Sequence, residues 1–175
     1  GDEREILEAY VNGLLVNVRF EEAKQVIEEW IKAFPDDPLP HYMQGRVEEH
    51  FRNNERAEHE YLNALEKQND HIRTLYSLGR LSQSANRYED ARDYFSRCLN
   101  MKYSAAPRLG FAKNLFNLGQ IEQAKTQAQL VAAEQSDARD KSFQRVGERL
   151  VGRPDAALLA EIEMSLGNLE ESIRW

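Results

Sequence analysis

Four alanines, Ala23, Ala57, Ala91 and Ala124, stand 34, 34 and 33 residues apart. Around each the chain repeats one apolar pattern. Three residues before come Phe20, Asn54, Tyr88 and Ile121; four after come Ile27, Tyr61, Phe95 and Ala128; seven after come Trp30, Ala64, Cys98 and Val131. Offsets of three, four and seven lie on one face of an α-helix, so each alanine heads an apolar stripe. The stripes predict helices near 20–33, 54–67, 88–101 and 121–134. Twelve residues before the alanines stand Val11, Gly45, Gly79 and Ala112, within predicted helices near 4–17, 39–52, 72–85 and 105–118. A small side chain there lets the second helix of a pair approach the first closely. A period near 34 built from paired helices is the signature of a stacked array, in which the repeats jointly build the working surface.

Punctuation agrees with the period. Asn86, Gly119 and the Arg52-Asn53-Asn54 run fall at the turns inside pairs, where a left-handed backbone is tolerated. Pro35, Pro38, Pro40 and Pro107 fall between pairs, where helices stop and start. Asp36-Asp37-Pro38 lacks the other positions of a calcium loop and reads as a turn between repeats.

The pattern resembles the tetratricopeptide repeat family. The third repeat carries it best, in Leu75-Tyr76-Ser77-Leu78-Gly79, Tyr88, Ala91, Phe95 and Cys98; the second carries Tyr42, Gly45, Ala57, Tyr61 and Ala64. Val11 and Asn54 depart from it, and the first two repeats lack a turn glycine. The resemblance implies an all-α, right-handed solenoid of antiparallel helix pairs over residues 1–136, with repeats at about 3–36, 37–70, 71–104 and 105–136. Beyond that the register breaks, because Ser172 takes the alanine position 48 residues after Ala124. An extra amphipathic helix is expected at 137–153, and the start of a truncated fifth repeat at 154–175. A last helix cut at Trp175 reads as a piece of a longer protein.

Composition bounds the function. With 41% hydrophobic and 30% charged residues, nine Gly and five Pro, the chain suits a soluble helical protein. A formal charge of −7 argues against nucleic acid and anionic membranes as partners. Cys98 is the only cysteine and falls in a core column, so it reads as a packed thiol. It leaves the compartment open, with the cytoplasm favoured. No phosphate-binding glycine loop, nucleophile elbow or zinc motif occurs, so no enzyme chemistry, cofactor or metal is expected. His41, His50, His59 and His71 read as solvated histidines on helix surfaces.

In the family the first helix of each pair lines a concave groove. The resemblance places Asn12, Arg46, Arg80 and Lys113 in one column of that groove. Glu8, Tyr42, Tyr76 and Leu109 stand four residues earlier, on the same helical face. Tyr42 with Arg46, and Tyr76 with Arg80, would then present an aromatic ring beside a guanidinium. The implied function is a scaffold holding a protein or peptide segment with acidic and apolar side chains. The alternative reading leaves Arg46, Arg80 and Lys113 solvated, or paired with Glu48 and Glu49 inside the scaffold. The family's two-carboxylate clamp is disfavoured: Asn12 and Arg73 fit it, while Glu8, Met43 and Ser77 do not. Two other functions stay open. One is a structural or self-associating homo-oligomeric module using Trp30, Trp175 and the 138–151 helix. The other is a substrate-positioning domain beside a catalytic domain outside this chain.

Overall fold

The computed structural model describes residues 2–101 and 105–131. Among them every regular element is a helix. In chain order these are α1 (Asp2–Val16), α2 (Phe20–Ala33), α3 (Pro38–His50), α4 (Asn54–Lys67), α5 (Ile72–Ser84), α6 (Tyr88–Met101) and α7 (Ala105–Asn117). A further helix, α8, covers 121–131. The helix expected at 137–153, the fifth repeat at 154–175 and Trp175 lie outside the described residues. The chain forms two compact units, residues 1–85 and 86–175.

The alanine stripes are the buried faces of the second helices. Ala23, Ile27 and Trp30 are buried on α2, Ala57, Tyr61 and Ala64 on α4, and Ala91, Phe95 and Cys98 on α6. Ala124, Ala128 and Val131 do the same on α8. Burial pushes the Cys98 thiol up to about 11, so it stays protonated at neutral pH.

The first unit holds α1 to α5. Its core is Val11, Ile27, Trp30, Met43 and Val47, flanked by Leu7, Leu15, Phe20 and others. Val11, the exception in the small-residue column, fills space here rather than admitting a close approach. Gly45 shows the opposite case: a Cβ there would lie 2.5 Å from Cε1 of Tyr61, so α3 accepts the Tyr61 ring only because residue 45 has no side chain. In the second unit Gly110 of α7 plays the same part, since a Cβ would lie 2.7 Å from Cζ of Phe95 on α6.

Trp30 corrects one expectation. It is 1% exposed, and its indole N–H donates to Asp37 Oδ2 at 3.1 Å, so it is a core residue and offers no surface for self-association. Asp37 is itself buried and caps α3, its Oδ1 accepting from the Leu39 amide at 3.1 Å with Pro38 in the first turn. Arg4 of α1 lies 3.5 Å from the same carboxylate.

The turns inside the pairs carry a second periodic column. Val18, Arg52, Asn86 and Gly119 all have positive φ, at 60°, 59°, 59° and 73°. Two backbone hydrogen bonds close the helix end at three of them: Val18 N to Leu15 O and Arg19 N to Leu14 O, then Arg52 to Glu49 with Asn53 to Glu48, then Gly119 to Phe116 with Gln120 to Leu115. This left-handed closure ends the first helices and explains why α3 stops at His50, short of residue 52. Val18 is the costly member, because a β-branched residue is strained there and its side chain is exposed. Val18→Asn is expected to stabilise the protein by about 1 kcal/mol. Thermal melting checks this, and an unchanged or lower midpoint would contradict it.

Candidate functional site

The first-helix face of the first unit brings α1, α3 and α5 together. Tyr42 of α3 is its centre. The Arg73 guanidinium of α5 lies 5.4 Å from the Tyr42 ring centroid, and that of Arg46, one turn along α3, lies 6.0 Å away. Both are within cation–π range. Each is tethered by α1: Arg73 Nη1 donates to Glu8 Oε1 at 2.5 Å, and Arg46 Nη1 to Asn12 Oδ1 at 2.9 Å. Arg46 also approaches the Met43 sulfur, at 3.7 Å.

One turn beyond, Arg80 of α5 pairs with Glu49 of α3. Glu49 is held from the other side, where the Tyr61 hydroxyl donates to its Oε2 at 2.9 Å. The phenol is buried beside this carboxylate, and both effects, burial foremost, push its ionisation far above the ordinary value. A chain of contacts therefore runs from the scaffold to the site. Gly45 admits the Tyr61 ring, Tyr61 fixes Glu49, and Glu49 fixes Arg80.

Asn12, Tyr42, Arg46 and Arg80 thus fall within one unit. Asn12 meets Arg46 directly, and Arg46 faces the Tyr42 ring. Arg80 turns to Glu49, and Tyr76, half-buried, lies on the same α5 helix. Lys113 is exposed on α7 of the second unit. Arg73, central to this arrangement, stood in the sequence only as a remnant of a clamp pattern.

Two of the four histidines are less exposed than the sequence implied. His59 is open to solvent, and His50 stacks on Phe20 with ring centroids 4.2 Å apart. His41, with 15% of its side chain exposed, pairs with Glu60 at 2.9 Å, linking α3 to α4. His71 is buried, lies edge-on to Tyr42 at 5.5 Å and shares a 2.6 Å hydrogen bond with Thr74. Neither His41 nor His71 is the solvated surface residue expected. Helical spacing alone does not reveal that a neighbouring helix covers them.

Two of these groups make stability depend on pH. Burial, with the Arg73 charge adding to it, lowers the His71 pKa below its ordinary 6.5, against opposing pulls from Asp37, Glu8 and Asp70. The hydrogen bond from His41 lowers that of Glu60 below 4.5, against the cost of burial. In both cases the unfolded chain binds protons first on acidification, so stability is full above pH 6.5 and falls in two steps as pH drops. His71→Asn should remove the upper step and Glu60→Gln the lower, as read by urea midpoints between pH 7.5 and 3.5. A flat profile in the wild-type protein would contradict this.

A cavity of about 230 Å³ opens between α3 and α4, lined by Gln44, Glu48, Glu55, Arg56, His59 and Glu60. Its walls carry both signs of charge. Among the described residues no three His, Cys, Asp or Glu side chains are grouped to hold a metal ion, and no helix is long and apolar enough to cross a membrane.

Comparison with known proteins settles the lineage of this scaffold. A tetratricopeptide repeat profile matches residues 11–72 and a second matches 72–104. The chain belongs to the tetratricopeptide repeat family. No curated protein sequence matches it. Among solved structures it is similar to MamA 41-end from Desulfovibrio magneticus RS-1, with 21% identity, TM-score 0.66, and 98% of this chain and 97% of that one covered. It is also similar to PilW, a type IV pilus biogenesis factor, with 19% identity, TM-score 0.68 and coverage of 77% and 63%. The first tetratricopeptide repeat domain of Spaghetti (RPAP3), bound to an HSP90 peptide, matches with 15% identity, TM-score 0.60 and coverage of 65% and 91%. These likenesses establish the fold class as an all-α tetratricopeptide solenoid. The family's repeats are interaction modules that bind protein or peptide partners, and this chain is a protein-interaction scaffold of that kind.

Proposed function

We propose that the face built by α1, α3 and α5 binds a protein segment bearing acidic side chains, and that this chain works by binding rather than by catalysis. The observation that carries the reading is the set of three half-exposed guanidiniums, Arg46, Arg73 and Arg80, around and beyond the Tyr42 ring. A guanidinium over an aromatic face keeps its N–H edge available for a carboxylate, and the ring offers apolar area to the same ligand. A positive cluster on a chain of net charge −7 also attracts an acidic segment locally while the remaining surface repels nucleic acid. Asn12 and Tyr76 line this face, and Lys113 extends the basic column along the sequence. The repeat boundaries near 36, 70 and 104 fit this use, since each repeat supplies one first helix. Titration of a labelled glutamate-rich peptide into wild type and into Arg46→Glu/Arg80→Glu tests the proposal; equal binding to both would refute it.

A second reading, self-association, draws on α1, where Ile6 and Tyr10 are 66% and 52% exposed. In the repeat register they match Pro40 and Gln44 of α3, of which Pro40 is buried and Gln44 half-buried. Light scattering across a hundredfold concentration range separates the two readings: a constant monomer mass leaves peptide binding alone.

A further inference from the structure

Resting on the peptide-binding reading, we propose that Glu8 and Glu49 are built-in occupants of the arginine sites, which the carboxylates of the bound segment displace. Both glutamates reach their arginines from another helix. Glu8 of α1 crosses to Arg73 of α5 on the far side of Tyr42, 65 residues along the chain, and Glu49 of α3 reaches Arg80. Each glutamate side chain is 24% exposed, while Arg73 and Arg80 are 48% and 50% exposed, so solvent reaches the guanidiniums past the internal carboxylates. Each pairing engages one terminal nitrogen of the guanidinium, Nη1 in Arg73 and Nη2 in Arg80. A guanidinium fork has room for a second acceptor, so exchange proceeds through a shared state without leaving the cation bare.

The spacing of the two sites defines the ligand. Arg73 and Arg80 are seven residues apart on α5, which places them on one face and about 10 Å apart along the axis. In an extended polyproline-type chain, residues three apart share a face and are separated by about 9 Å. The segment selected is therefore an extended peptide with acidic residues at positions one and four. Tyr42, beneath Arg73 and beside Arg46, receives the apolar side chain between them. Arg46, whose side-chain oxygen partner is the neutral Asn12, adds attraction that displaces no internal carboxylate. Glu8 and Glu49 act as a filter: a ligand with a single carboxylate replaces one internal pair and leaves the other in place.

The test uses a fluorescein-labelled proline-rich peptide containing Glu-Pro-Pro-Glu, with a control in which the two glutamates are adjacent, followed by anisotropy on the whole chain. Glu8→Gln/Glu49→Gln removes the internal competitors while preserving side-chain size. Its affinity for the spaced peptide should rise roughly tenfold over wild type, and its preference for spaced over adjacent glutamates should shrink. Glu8→Asp/Glu49→Asp keeps both charges but shortens their reach to Arg73 and Arg80, so its affinity should fall between wild type and the Gln variant. If wild type binds and the Gln variant binds equally or more weakly while circular dichroism is unchanged, the displacement proposal fails and the binding face stands. If neither protein binds the spaced peptide, the acidic-ligand reading itself falls. Should the Gln variant melt early, Glu8→Gln alone supplies the same comparison, because Glu49 and its bond from Tyr61 are then intact.

Discussion

Trp30→Ala is expected to lower the melting midpoint of the first unit by about 15 °C or more. The side chain is 1% exposed and lies in the core with Val11, Ile27, Met43 and Val47. Removing a buried Trp leaves a cavity that neighbours fill incompletely, at about 3–5 kcal/mol. The loss extends beyond packing. Trp30 Nε1 donates to buried Asp37, and Asp37 caps α3, so the substitution strips one donor from the carboxylate that starts the next helix pair. Against a typical total of about 5–15 kcal/mol, that takes a large share of the stability. In a repeat array it falls on the interface between the first two pairs, α2 on α3. Trp30→Phe should recover much of the packing without the indole donor and fall between the two. Circular dichroism melts of the three proteins decide it: a shift below about 3 °C for Trp30→Ala would place Trp30 outside the core.

The alanine column made the helices and their buried faces legible because one-face spacing and a fixed period are local properties of sequence. Gly45 was legible as a small residue, and the structure adds that the Tyr61 ring occupies the space. The left-handed turns were readable at Asn86 and Gly119 from residue type. Val18 was not, since a β-branched residue gives no such signal and only the repeat register points to it. The site divided in the same way. Tyr42 and Arg46 share a helix and could be paired by spacing. Glu8 with Arg73 and Glu49 with Arg80 bridge different helices, 65 and 31 residues apart, and nothing in local pattern announces such pairs. Of the two readings weighed for the basic column, scaffold pairing describes Arg80, while Arg46 meets an asparagine and a tyrosine ring. Trp30 was legible as a stripe residue, seven after Ala23, and its burial against α3 removes it from the self-association surface for which it was also considered. His71 was missed because it precedes α5 in a turn, where helical spacing gives no signal, and it packs edge-on against Tyr42 of α3.

The largest effect on binding is expected from Arg46→Glu with Arg80→Glu. Each arginine offers a charge-assisted hydrogen bond to a ligand carboxylate, about 1.5–3 kcal/mol, and reversal replaces attraction with repulsion. Together they should lower affinity for an acidic peptide by at least a hundredfold. The fold should survive, because both side chains are exposed and the core lies elsewhere. Glu49 would then face a new carboxylate at position 80, so Arg46→Gln with Arg80→Gln serves as the milder pair, with a loss of about tenfold or more. Raising salt should weaken wild-type binding and leave the residual binding of the Gln pair less affected.

The most direct test of the account is an anisotropy titration of the glutamate-rich peptide against wild type and Arg46→Glu/Arg80→Glu at matched helicity. The predicted result is saturable binding to wild type and none to the variant over the same range. Equal saturation of both proteins would contradict the assignment of this face as the binding site.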